Sequence, residues 1–503
     1  MPTPLRHLLL RQVAIVVLCL YVAWTVVITP RIGEPASWAF LIGMLLAAVT
    51  GLWGMRPVAL RRAWAPLLLV GFWAIWAAML PLTTRWSPGN REVGREVTGM
   101  TIVALISVAL VLFSRGDPRL VRAFRWGWLA LFLTTLIVAA WEITTMEHLL
   151  VTRQRTWDAP GRSPAATFIN PNNYACVLVV MVGVSLQWAS EKISRLAKVG
   201  LIACAVTSVG LIWQTASRSA LLFALVQIVL AATLWASRRG WLTRARRWGT
   251  THTLPAALAG LAAVVVVGAT FLVPALARIN PVLRMIRPAD ATSAASDDLR
   301  LALTKAGLRY SLQNPWRGTG AASFEDRLAR DKPAGVFFLT NMHNGLLELL
   351  SQYGVFVAGP FLALLLLLAW RVIRPRVGGT PGSRRGSDPA RGRGLAKGSS
   401  VVERRQTTTG ATESGANTAA GAAVSTDVTG MRYLLAAMLV SVLMSSVAVS
   451  STLTWPAWWL MVAHACALGW ALSNVPAGNE PDSPTTTSRT AALGLESAPE
   501  LAS

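Results

Sequence analysis

The sequence predicts an all-α, polytopic membrane protein of about twelve transmembrane helices, with one large extracytoplasmic loop that contains short helices. Three observations predict it. Of 503 residues, 53% are hydrophobic and only 14% are charged, whereas a soluble domain carries roughly a quarter charged residues. The apolar residues come in blocks close to the ~20 needed to cross a bilayer. The basic residues gather in the connections between those blocks, on every second one.

Taken in order, the spans fall at 12–29, 36–53, 63–81, 97–114, 124–145, 171–190, 197–214, 219–237, 255–274, 345–370, 432–453 and 456–473. The run from Val13 to Thr29 is followed at once by further spans, so it reads as a true first helix and not as a cleaved leader. Arg6 and Arg11, then Arg56, Arg61 and Arg62, then Arg115, Arg119, Arg122 and Arg125 share one side. Lys192, Arg195 and Lys198, then Arg238, Arg239, Arg244, Arg246 and Arg247 join them. The positive-inside rule makes that side the cytoplasm, with both termini inside. The same bias explains the net charge of +24 without a nucleic-acid partner.

The chain thus divides into helices over 1–274, an extracytoplasmic loop at 275–344 and a tenth span at 345–370. A cytoplasmic linker at 371–430 follows, then the last two spans in 431–474 and a tail at 475–503. The linker and the tail are rich in Gly, Ser and Thr and poor in large apolar residues, a composition that predicts disorder. Trp455, Trp458 and Trp459 are expected in an interfacial belt. Cys19, Cys176, Cys204 and Cys466 all lie inside apolar blocks, so no disulfide framework is expected. No Walker loop, HExxH or paired-Cys site occurs, and no metal or cofactor is expected.

The polar excursion from Pro274 to Met342 carries the candidate chemistry, because a long loop with helical pattern between spans is functional more often than idle. Asp297 to Leu312 reads as an amphipathic helix capped by Ser296 or Asp297, with Leu299, Leu303, Ala306 and Tyr310 on one face. That face is expected along the membrane or against the spans. Arg300 is either a site cation or ordinary surface charge paired with Asp297. A turn follows at Asn314-Pro315-Trp316-Arg317-Gly318-Thr319-Gly320. His343 then stands where the chain re-enters the membrane; a helix N-terminus disfavours imidazolium, so it is either a neutral proton acceptor or a cap. Asn344 beside it is a candidate substrate contact.

Two further corners lie on the same side. Arg218, in Thr215-Ala216-Ser217-Arg218-Ser219, either faces the bundle interior, where a cation is functional by default, or snorkels to the headgroups. Asn170 and Asn172, in Phe168-Ile169-Asn170-Pro171-Asn172-Asn173-Tyr174, suit sugar hydroxyls or phosphate, or a turn and a helix cap.

The order of these motifs resembles the O-antigen ligase/polymerase superfamily. The resemblance rests on the Ser-Arg-Ser corner, the Arg-led helix before Asn-Pro-Trp-Arg-Gly-Thr-Gly, and His343-Asn344-Gly345-Leu346-Leu347-Glu348-Leu349-Leu350-Ser351-Gln352-Tyr353-Gly354-Val355. It is closest over 168–370. It implies a metal-independent, inverting glycosyltransferase of the bacterial inner (plasma) membrane, using a polyprenyl-diphosphate-linked glycan donor and a glycolipid or other envelope acceptor. By the same resemblance His343 is the catalytic base, and Arg218 and Arg300 hold the donor diphosphate. A repeat-unit polymerase is the nearest alternative. A transporter would require ionisable groups deep within the spans and broken helices arranged as repeats.

Overall fold

The computed structural model describes residues 3–85, 90–149, 163–168, 170–215, 217–239, 291–331, 344–373, 427–448 and 453–475. The span expected at 255–274, most of the linker and tail, and both flanks of the long loop lie outside them. Among the described residues there is no strand.

The helices run in chain order as α1 (Thr3–Ile32), α2 (Glu34–Thr50), α3 (Pro57–Arg61), α4 (Trp64–Arg85) and α5 (Asn90–Ser114). Next come α6 (Pro118–Val121), α7 (Ala123–Thr145), α8 (Pro171–Ala189), α9 (Arg195–Gln214) and α10 (Arg218–Arg238). The loop contributes α11 (Ala291–Gln313) and α12 (Ser323–Asp331), and α13 (Gly345–Ile373), α14 (Val428–Ala448) and α15 (Pro456–Asn474) follow. Proline opens α3, α6, α8 and α15, where its missing N–H costs no helical hydrogen bond.

Among the described residues, nine helices are long and apolar enough to cross a membrane. The protein is multi-pass. At 17 residues α2 is shorter, and α15 is buried along nearly its whole length instead of facing lipid. Around α15 the core is aromatic: the rings of Phe72, Trp73 and Phe361 stand 4.4–5.6 Å from that of Trp459, and Phe361 is 5.3 Å from Trp458.

The belt expected from Trp455, Trp458 and Trp459 is therefore not a belt. All three are buried. The indole N–H of Trp458 donates to Val442 O at 3.0 Å and that of Trp459 to Leu453 O at 2.7 Å. With their only polar groups paired to backbone carbonyls, the Trp458 and Trp459 rings no longer need the wet interface. Among the described residues Trp53, Trp126, Trp141, Trp213, Trp235, Trp316 and Trp370 are the exposed ones.

Hydrogen bonds and packing sort the helix ends into two sets. At one end Arg125 meets Glu191 at 2.7 Å, Trp64 Nε1 donates to Ser473 at 2.8 Å, and Arg11 donates to Gly51 O at 2.6 Å. The basic clusters before α9 and around α3 and α6 belong to this end. At the other, Phe168 packs edge-on against Trp455, and a Cβ at Gly99 would touch Thr454. Helices α5, α8, α10, α13 and α15 begin there. It is called the site end below.

Candidate functional site

Two carboxylates, one buried and one half-buried, organise the site end. The first is Glu142, in the last turn of α7. Its Oε2 accepts from the successive N–H groups of Ala165 and Ala166 at 2.8 and 2.7 Å. Its Oε1 accepts from Leu149 N at 3.3 Å and lies 3.2 Å from His148 Nδ1. Ala166 has φ of 51°, a left-handed conformation unusual for a residue with a Cβ. Paired N–H groups in such a bend form an anion-binding nest, and here the anion is a side chain of the neighbouring helix. The nest holds the chain that leads into α8. Asn170 caps that helix, its Oδ1 accepting from Asn172 N at 2.9 Å; Asn172 stands half-buried in the first turn. Glu142→Gln would place an amide NH2 against buried N–H donors. An unfolding midpoint below the parent's is expected in detergent, reflecting about 1–3 kcal/mol for each buried donor left unpaired.

The second is Glu96, on α5. Tyr353 donates its hydroxyl to Glu96 Oε1 at 2.5 Å. The N–H of Ala322, another left-handed alanine at φ 52°, reaches Glu96 Oε2 at 3.0 Å and Gln352 Oε1 at 2.7 Å. Gln352 in turn donates to Glu348 at 3.3 Å. This network ties the loop between α11 and α12 to α13 and α5.

The loop itself is spliced into a broken helix. The sequence reads 345–370 as one span, but Gly354 interrupts α13 at φ 68° and ψ −172°. The pieces are α13a, 345–353, and α13b, 355–373. A continuous helix would bond Val355 N to Ser351 O and Phe356 N to Gln352 O. Instead all four groups pair with the Asn314–Gly320 turn. Thr319 N donates to Ser351 O at 2.8 Å and Gly320 N to Gln352 O at 2.9 Å. Val355 N donates to Pro315 O at 2.8 Å and Phe356 N to Trp316 O at 3.2 Å. A break near membrane depth is tolerated because neighbouring backbone satisfies the freed groups.

Two glycines permit the approach. A Cβ on Gly318 would lie 2.3 Å from the Gln352 carbonyl, and one on Gly354 would lie 2.4 Å from that of Trp316. Both have positive φ.

The predicted amphipathic helix exists and is longer than expected. It begins at Ala291, so Ser296 and Asp297 lie within α11 and do not cap it. The expected apolar face is the buried one, and it packs both against the start of the span α13, as expected, and against the loop's second helix. Leu303, Ala306 and Tyr310 form a cluster with Phe324 and Leu328 of α12, and Leu299 and Leu347 pack against it. Tyr310 donates to Asp331 at 2.9 Å, and Arg309 pairs with the same carboxylate. Burial, with Asp331 beside it, pushes the Tyr310 phenol up to about 12, so it remains a donor at neutral pH.

This packing gathers part of the predicted site. Half-buried Arg300 follows Leu299, while Asn344 stands one turn before Leu347; both leucines pack on the one cluster. Asn344 caps α13a, its Oδ1 accepting from Leu347 N at 3.0 Å. Arg218 is exposed at the first position of α10, after buried Ser217. It shares the site end with Asn170 and Asn172, since α8 and α10 begin there. His343 lies outside the described residues.

Glu96 and Glu142 were not singled out in the sequence. Glu142, an acid inside an apolar span, carried the usual signal of an intramembrane ionisable group; Glu96, in a connection, carried none. Among the described residues no cluster of His, Cys, Asp or Glu could hold a metal ion.

Residues 202–362 match the family model for O-antigen ligase. The match begins within α9 and ends within α13b, so it includes Arg218, Arg300, His343, Asn344 and the spliced turn. Asn170 and Asn172 precede it. No curated protein matched the chain.

Proposed function

We propose, for a chain that carries an O-antigen ligase domain over residues 202–362, that it moves a preassembled glycan from polyprenyl diphosphate to an envelope acceptor at the site end. The observation that carries the reading is the meeting of α11 and α13a. Through it the Arg300 segment and the helix start beside His343 share one packed support.

The residue types suit the reaction. The guanidinium groups of Arg218 and Arg300 bind and neutralise the diphosphate with directed, charge-assisted hydrogen bonds. His343 takes the proton of the acceptor hydroxyl as that oxygen bonds the anomeric carbon. The bond from that carbon to the phosphate oxygen breaks, and polyprenyl diphosphate leaves with the electron pair. A single displacement of this kind inverts the anomeric centre. Asn170 and Asn344 contact the glycan or acceptor with the amide atoms left over from capping, and Asn172 does so with its side-chain amide. The basic end faces the cytoplasm of the plasma membrane by the positive-inside rule, which puts the site end outside, where the donor arrives already activated on its lipid.

Deleting the gene and analysing the polyprenyl-diphosphate-linked glycans tests this. Long chains accumulating on lipid, cleared by the wild-type gene but not by His343→Ala, are expected for a ligase. Accumulation of single repeat units would mean a polymerase. An unchanged lipid-linked pool would overturn both.

A further inference from the structure

Helix α11 has a second apolar face, which stands exposed and which none of the described residues covers. Leu301, Leu308 and Leu312 are 48%, 52% and 71% exposed. Their spacing of seven and four residues keeps them within about 40° of arc. A stripe of leucines on a loop helix in water would be costly.

The stripe is continuous with a membrane-spanning surface. It leads into the turn where Trp316 is 63% exposed, and the Trp316 ring stands 5.9 Å from that of Phe356. Phe356 and Val355 open α13b and are exposed in their turn, above the exposed Leu362 and Leu366 of the same helix. The bonds from Val355 N to Pro315 O and from Phe356 N to Trp316 O hold the two surfaces in register. Exposed Lys305 and Arg309 border the stripe, as snorkelling cations border an interfacial helix.

We propose that this face of α11, with Trp316 and Phe356, is a docking surface for the bilayer: the helix lies on the leaflet at the site end with its leucine stripe among the acyl chains. Membrane lipid is the occupant because the stripe extends the lipid-facing surface of α13b. Arg300, on the same helix, then sits at headgroup depth. If the proposed function holds, that is the depth of the donor diphosphate, but the docking stands without it.

The test is depth-resolved spin labelling of the full chain in vesicles of phosphatidylethanolamine and phosphatidylglycerol. Nitroxides are placed at Leu301→Cys, Leu308→Cys and Leu312→Cys, with Ala329→Cys on the exposed side of α12 as reference and unmutated protein as the labelling blank. Labels on the stripe are expected to collide with oxygen in preference to a water-soluble nickel chelate. The label at 329 is expected to show the reverse. Stripe labels as open to the chelate as that at 329 would overturn the proposal. So would dipolar broadening between labels of neighbouring molecules, which would assign the stripe to a second copy. The three stripe positions are read independently, so a single variant that fails to fold does not decide the result. Activity is not the readout, so failure here is distinct from failure of the transferase reading.

Discussion

Gly354→Ala is expected to cost about 3–5 kcal/mol and to leave little folded protein. A backbone at φ 68° and ψ −172° lies in a region essentially reserved for glycine and costs a residue with a Cβ about 1–3 kcal/mol. The new methyl would also lie 2.4 Å from the Trp316 carbonyl, and neither backbone can yield without separating the four bonds of the splice. Losses of this size arise from a few mechanisms, backbone strain and broken buried networks among them. Gly318→Ala, which meets Gln352 at 2.3 Å, should behave alike. Gly359→Ala is the control: on the same helix its Cβ would make only an ordinary 3.6 Å contact with Val355. Within a helix alanine is favoured over glycine by about 0.5–1 kcal/mol, so this variant should equal or exceed the parent. Unfolding midpoints in detergent separate the three. A Gly354→Ala protein as stable as Gly359→Ala would mean that the turn does not hold the broken helix.

His343→Ala is expected to lower glycan transfer by about 10²–10⁴-fold, the usual contribution of a positioned base. On the proposed mechanism the loss should fall on kcat, with donor binding retained, because there the imidazole is assigned to the acceptor proton and Arg218 and Arg300 to the diphosphate. Truncating either arginine should instead weaken donor binding by roughly 10–100-fold, in line with about 1.5–3 kcal/mol for a hydrogen bond to a charged group. Transfer assayed in vesicles with purified lipid-linked donor distinguishes the patterns. A His343→Ala protein with full kcat would remove the residue from the mechanism, whatever the family.

The two variants probe different levels of the same element. Gly354 and the turn at 314–320 set the direction of α13a, and α13a determines where Asn344, the residue after His343, stands. A base must lie within about 3 Å of the proton it removes, and a short helix standing alone beyond a break would not hold such a position. Here its far end is spliced to the turn, its side is packed on α11 and α12 through Leu347, and Tyr353 is tied to α5 through Glu96.

What the sequence determined by itself follows from solvent. Continuous apolar blocks of bilayer length must be helices, since the other way to satisfy the backbone in lipid, a closed barrel, uses strands about half as long with alternating polarity. Alternating basic connections determined which helix ends lie together. Helical spacing picked out Leu299, Leu303, Ala306 and Tyr310 as one buried face, and the motif order pointed to the family. These are properties of short segments and of the medium around them.

The tertiary structure decided whatever depended on partners distant in sequence. Trp458 and Trp459 are core residues because Val442 and Leu453 offer carbonyls to their indoles. Gly354 breaks α13 because a turn 34–40 residues earlier supplies replacements for two lost helical bonds. Glu96 and Glu142 are anchors because left-handed alanines in separate loops turn their N–H groups toward them. Apart from Glu142, whose place inside a span is itself a signal, each of these residues reads in isolation as ordinary: a membrane tryptophan, a helix glycine, an acid in a connection. Their roles arise from buried polar groups that must find partners once water is excluded, and only the folded chain determines which partner each one meets.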